Sequence, residues 1–148
     1  MSLEDYRRKR KFGKTPEPTG KVKTSGKSIF VIQEHWTKGS RVHWDLRLEK
    51  DGVLKSWAVP KGVPEKTGVK RLAVPTEDHP VEYSKFEGVI PEGEYGAGEV
   101  KVWDSGTYEE KVWRDDKIEL VFHGKKIMGD YIMIKTRMGW LVFKREVS

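Results

Sequence analysis

From Ile29 to Lys144 the chain is cut at short intervals by turn-forming residues, and the stretches between them alternate polar with apolar. Lys50-Asp51-Gly52, Asp104-Ser-Gly106, Asp115-Asp116, His123-Gly124 and Met138-Gly139 are the punctuation. Runs of this length with period-two alternation read as strands, and their number leaves almost no room for helices. The segments predicted as strands are Ile29–His35, Arg41–Glu49, Val53–Val59, Lys70–Val74, Glu99–Asp104, Thr107–Trp113, Lys117–His123, Tyr131–Thr136 and Trp140–Lys144. A loop over Trp36–Ser40 is expected between the first two. The fold class that follows is all-β and mainly antiparallel, a compact closed barrel with short flanking helical turns at Leu3–Lys11 and Val81–Phe86.

The alternation also sorts side chains by face. In Arg41-Val-His-Trp-Asp-Leu-Arg-Leu-Glu49, the residues His43, Asp45 and Arg47 share one face, and Val42, Trp44, Leu46 and Leu48 share the other. Gln33 and His35 are likewise two apart near the end of the preceding strand. If the two strands are neighbours with polar faces aligned, His35, His43 and Asp45 form an N2O set suited to Mn²⁺, Fe²⁺, Co²⁺ or Zn²⁺. Arg47 then offers a guanidinium to a phosphate or carboxylate oxygen beside it. The bland alternative is a half-buried strand whose wet face carries charge.

Composition narrows the chemistry. At 148 residues the chain is expected to be one domain, and it contains no cysteine, which excludes thiol nucleophiles and Cys-held zinc. Histidine occurs only at 35, 43, 79 and 123, so the ligand search is short. The net charge of +6 is confined to the leading 27 residues, which hold nine Lys/Arg against three Asp/Glu. Residues 1–27 therefore read as a basic, irregular arm on a neutral body formed by residues 28–148. Arg7, Arg8, Lys9, Arg10 and Lys14 are its candidate nucleic-acid contacts. No apolar run is long enough to cross a membrane, and a cytoplasmic, monomeric protein is expected.

Further along, Lys61 closes one strand, Arg71 opens the next, and Thr76-Glu-Asp-His-Pro-Val-Glu-Tyr83 follows. Arg47, Lys61 and Arg71 are candidate clamps for phosphoryl oxygens, with His79 and Tyr83 as candidates for proton transfer or charge stabilisation. The glycines of Glu92-Gly-Glu-Tyr-Gly-Ala-Gly98 precede a strand and lack a following helix or Gly-Lys-Ser/Thr, so they read as a bend rather than a nucleotide loop. His123 reads as a strand-end residue.

Five blocks are specific enough to carry a resemblance: Phe30-Val-Ile-Gln-Glu-His35, Val42-His-Trp-Asp-Leu-Arg-Leu-Glu49, Leu54-Lys-Ser-Trp-Ala-Val-Pro-Lys-Gly62, Glu77-Asp-His-Pro80 and Phe86–Gly98. Together they resemble the 3′-phosphoesterase module of bacterial and archaeal DNA ligase D, over about Tyr6 to Trp140. The resemblance implies a Mn²⁺-dependent β-barrel enzyme that removes a 3′-terminal ribonucleoside and then the 3′-phosphate from DNA primer–template ends. It implies that His35, His43 and Asp45 hold the metal with Gln33 beside them, and that Arg47, His79 and Tyr83 surround the scissile phosphate. Lys61 and Arg71 would support phosphate binding. Arg10 and Glu17 match positions the family uses, which would bring the arm over the site. Two departures stand out: Lys11-Phe12 replaces an expected Arg-Asp-Phe pattern, and the His35–His43 connection is about two residues longer than usual. A free-standing, nucleoid-associated protein working with a ligase and a polymerase in trans is the matching expectation. A non-catalytic nucleic-acid-binding barrel and an Fe²⁺ oxygenase using His43, Asp45 and His79 are the competing readings.

Overall fold

A computed structural model describes residues 3–18, 28–37 and 41–146. Its strands are β1 (Ile29–Thr37), β2 (Arg41–Lys50), β3 (Val53–Val59), β4 (Lys70–Pro80), β5 (Gly88–Ile90), β6 (Gly98–Arg114), β7 (Lys117–His123), β8 (Met128–Thr136) and β9 (Gly139–Lys144). A short helix, α1 (Glu4–Arg8), precedes them, and a 3₁₀ turn over Val81–Lys85 follows β4. The hydrogen-bonded order β1-β2-β3-β4-β9-β8-β7-β6 closes on itself through β1–β6, giving an eight-stranded antiparallel barrel. The short β5 adds to β6 alone.

Phe30, Ile32, Leu46, Leu48, Phe122 and Met133 fill the barrel. Leu46 and Leu48 are fully buried, and each contributes about 1.5–3 kcal/mol by leaving water. A one-residue slip of β2 would expose both and drive Asp45 and Arg47 inward, so the core itself sets the strand register. A second apolar cluster lies outside the barrel. Tyr6, Leu54, Tyr83, Phe86 and Ile90 pack there, with Phe12 against them, and fasten α1, the 3₁₀ turn and β5 to the outer wall.

Several sequence-based expectations need correction. Asp104-Ser-Gly106 is no turn: β6 runs through it for 17 residues. Its first half pairs with β1, and from Thr107 it pairs with β7, so one long strand serves two neighbours. Asp104 instead accepts the backbone N–H groups of Lys125, Lys126 and Ile127 at 2.8–3.1 Å. Gly106 is small because a Cβ there would stand 2.1 Å from the carbonyl oxygen of His123. The loop expected over Trp36–Ser40 begins later, since Trp36 and Thr37 still pair with Val42 and Arg41. The expectation about that loop's length falls on residues 38–40, outside those described. β4 continues beyond Val74 to Pro80 because β3 gives it partners that far, Leu54 opposite His79 and Val53 opposite Pro80. Over residues 3–18 the leading segment is docked, with Leu3, Tyr6, Thr15 and Glu17 buried.

Candidate metal and phosphate site

The site sits on the outer wall of the barrel, under the second apolar cluster. In the β1–β2 pair His35 lies opposite His43, Gln33 opposite Asp45 and Val31 opposite Arg47. Side chains opposite one another on one face have Cβ atoms about 4.5–5.5 Å apart, so the pairing alone brings the two imidazoles together. Their ring centroids are 4.8 Å apart. One donor atom from each of His35, His43 and Asp45 lies within 4.8 Å of the others. His43 Nε2 is 3.1 Å from Asp45 Oδ1, and His35 Nδ1 is 3.6 Å from Oδ2.

Behind the triad, His35 Nε2 is 2.8 Å from the carbonyl oxygen of Gly96 and donates to it. That bond orients the ring and leaves Nδ1 as its inward donor atom, the usual arrangement of a ligating histidine. Gly96 holds φ at +76°, a conformation few other residues adopt, so the Gly-rich loop acts as a backbone support for His35. Asp45 is buried, which opposes ionisation. The Arg47 guanidinium, together with the adjoining His35 and His43 imidazoles, outweighs burial and keeps the carboxyl well below the usual carboxylate range. Two imidazole nitrogens and a firm carboxylate fit a borderline divalent cation of the Mn²⁺, Co²⁺ or Zn²⁺ kind.

Beside the triad lies a cationic pocket. Arg47 Nε donates to Gln33 Oε1 at 2.7 Å, its Nη2 is 3.4 Å from Asp45, and its Nη1 is 3.1 Å from His79 Nδ1. Gln33 is held in turn by donating to the carbonyl oxygens of Tyr83 and Phe86. On the far side of His79, Arg10 Nη2 is 3.4 Å from Nε2. Burial, then Arg47 and Arg10, hold the His79 pKa well below the ordinary imidazole value, so the ring is neutral. With both nitrogens facing guanidinium groups it is not placed to ligate a metal, which removes the support for a His43–Asp45–His79 oxygenase triad.

Arg10 is anchored by Glu17 at 2.8 Å and Glu77 at 3.2 Å, with its side chain 5% exposed. Tyr83 donates its hydroxyl to the same Glu17 oxygen at 2.7 Å, and Thr15 donates to the other at 2.9 Å. Burial raises the Tyr83 phenol far above its usual pKa, with Arg47 opposing and Glu17 adding to the rise, so it stays a donor. A cavity of about 260 Å³ opens between the triad and this pocket, with Thr76 and Tyr95 at its rim.

Residues 33–135 match the family model for the DNA ligase D 3′-phosphoesterase domain. The chain belongs to the DNA ligase D 3′-phosphoesterase domain family. Among similar proteins is the multifunctional non-homologous end joining DNA repair protein LigD of Mycobacterium tuberculosis. It is 53% identical over 140 residues, covering 90% of this chain and 18% of that protein. The corresponding LigD proteins of Mycolicibacterium smegmatis and Pseudomonas aeruginosa are 49% and 44% identical. These matches cover 97% and 92% of this chain but only 20% and 17% of theirs. The chain therefore spans about a fifth of the length of these relatives.

Of the residues that resemblance to the phosphoesterase family assigns, His35, His43, Asp45, Gln33, Arg47, His79, Tyr83, Arg10 and Glu17 come together. Lys61 and Arg71 do not line the cavity. Arg71 donates to the backbone carbonyls of Lys61 and Gly62, tying the β3–β4 connection. The basic arm is divided in use. Arg10 is buried in the site, Arg8 pairs with Asp5, Lys9 reaches Glu77 and Tyr95, and Arg7, Lys11 and Lys14 are exposed. Residues 19–27 of the arm lie outside those described. His123 ends β7 and pairs with Glu109, away from the site. Sequence reasoning missed Glu77, Tyr95 and Gly96. Glu77 had a signal, being two residues before His79 in an extended segment. Tyr95 had none, because only the folded loop brings it to Lys9 and Arg10.

Proposed function

We propose that this chain is a divalent-metal-dependent phosphoesterase that trims DNA 3′ ends during end joining, removing a 3′-terminal ribonucleoside and then the 3′-phosphate to leave a 3′-hydroxyl. The observation that carries the reading is the convergence of His35, His43 and Asp45 beside a buried Arg47–His79–Arg10 array. Family membership and the role of the relatives in non-homologous end joining point the same way.

His35 Nδ1, His43 Nε2 and Asp45 would hold the metal, Mn²⁺ in the family resemblance, which supplies Lewis-acid stabilisation of phosphoryl charge when bound. The proton between His43 Nε2 and Asp45 would have to leave for both to serve as ligands. Arg47 and Arg10 then present N–H donors to the phosphoryl oxygens, a geometry guanidinium groups suit. A proton on His79 Nδ1 fits the carbonyl of Glu77 at 3.0 Å and leaves Nε2 as acceptor from Arg10. In that tautomer Arg47 Nη1 finds no lone pair on the ring and remains for the substrate. Burial is the larger cause of the depressed His79 pKa, but an anion between the guanidiniums offsets the part owed to Arg47 and Arg10, so the ring gains proton affinity as substrate binds. Water adds to phosphorus as the P–O bond to the leaving oxygen breaks, and the proton the water gives up passes by way of His79 Nε2 to the leaving oxygen.

The test is an end-labelled primer–template ending in a 3′-ribonucleotide or a 3′-phosphate, incubated with Mn²⁺, Mg²⁺, Zn²⁺ or chelator. Conversion to a 3′-hydroxyl with a transition metal and none with chelator is the expected result. Tight binding of the duplex without product under any ion would instead leave a nucleic-acid-binding barrel.

A further inference from the structure

A second cavity, about 480 Å³, opens at one mouth of the barrel and shares Thr76 with the catalytic cavity. Its walls are indoles. Trp57 and Trp140 are 5% and 7% exposed and meet edge to face at 6.0 Å, while the half-buried Trp113 stands 6.4 Å from Trp57. The Trp57 indole N–H is buried and finds no acceptor among the described residues.

Charge at the rim excludes a phosphate as the occupant. Lys50 pairs with Glu110 at 2.5 Å, Lys55 with Asp78 at 3.2 Å, and Arg114 lies 3.8 Å from Asp116, with Asp51 and Asp115 also at this mouth. What remains is a neutral, flat-walled recess whose most open indole is Trp113, with Lys50 poised 5.0 Å over its ring. A nucleobase combines a planar π face with acceptor atoms at its edge, and it carries no charge. We infer that the barrel mouth lined by Trp57, Trp113 and Trp140 receives an unpaired base of the DNA whose 3′ end occupies the neighbouring cavity. The inference rests on the phosphoesterase reading for its choice of DNA, and β4 provides the continuity: Glu77 and His79 serve the catalytic cavity, while Thr76 borders both.

Two duplexes ending in a 3′-phosphate separate the possibilities, one flush and one with unpaired bases on the complementary strand beyond that end. Binding is read by fluorescence anisotropy of a labelled strand in chelator, so that no turnover intervenes. Wild type should bind the overhanging duplex more tightly. Trp113→Leu should weaken that complex about ten-fold and leave the flush one unchanged, the size expected for one lost base–aromatic stack. Trp57→Phe, which exchanges the indole for a smaller aromatic ring, should weaken it in the same direction and by less. Equal affinity of wild type for the two duplexes, or variants that keep the wild-type preference, overturns the base subsite. Capture of a protein's aromatic side chain rather than a base would show as the first of these. Failure of the phosphoesterase reading appears separately, as absence of phosphate release from both duplexes with every divalent ion.

Discussion

Arg10 Nη2 and His79 Nε2, 69 positions apart in the chain, lie 3.4 Å from one another. The leading segment thus completes the site rather than decorating it, and Glu17 is what keeps it there. Exchanging Glu17 for Gln removes the charge that holds Arg10 and receives Tyr83, leaving a buried guanidinium short of a partner. Breaking such a pair from one side costs about 3–5 kcal/mol. Trypsin should cleave Glu17→Gln faster at the basic residues between Arg7 and Lys14, with the thermal midpoint of the barrel little changed. A cleavage rate equal to wild type would show that the segment is held by other contacts.

His43→Ala should abolish product formation from both 3′-ribonucleotide and 3′-phosphate ends, because it removes one of three donors. Mn²⁺ affinity measured by calorimetry should fall by at least about ten-fold, within the range seen when ligand support is lost. Near-normal turnover would mean the cation, if any, is bound elsewhere.

His79 gives stability a pH dependence of known sign. Its folded pKa is depressed below the ordinary 6.5, so between those two values the unfolded chain binds a proton that the folded chain refuses. Stability is therefore lost as pH falls below 6.5 and is level above it, at up to about 1.4 kcal/mol per pH unit. Urea unfolding at pH 5 and pH 7 should show a smaller difference in His79→Gln than in wild type. Identical differences would place the imidazole in solvent.

Gly106→Ala introduces a methyl group 2.1 Å from the His123 carbonyl oxygen, a contact only backbone movement relieves. Such overpacking costs about 1–3 kcal/mol, and the β6–β7 seam should lose amide-exchange protection before the rest of the barrel. Unaltered exchange there would contradict the close approach.

The barrel and the triad were legible because both rest on the same local signal. Period-two alternation in Ile29–His35 and Arg41–Glu49 placed Gln33, His35, His43, Asp45 and Arg47 on one face, and pairing of adjacent strands did the rest. What escaped depended on contacts distant in sequence. Gly106 looks like a turn residue, yet it is demanded by His123 across the sheet. Lys61 and Arg71 carry the right charge for phosphate, yet neither lines the cavity, and Arg71 is engaged by backbone carbonyls. The arm's composition suggested solvent-facing contacts with DNA, but Tyr6, Phe12 and Glu17 give part of it a reason to dock.

All three candidate ligands hang from a single hairpin whose reverse side is Phe30, Ile32, Leu46 and Leu48. The hydrocarbon interior is in that sense a template for the inorganic chemistry outside: it dictates the gap between the two imidazoles. A methylene trimmed from Ile32 or Leu46 never touches the candidate donors, yet it would alter the spacing between them. Directed changes inside the barrel are accordingly a route to retuning which ion the exterior prefers.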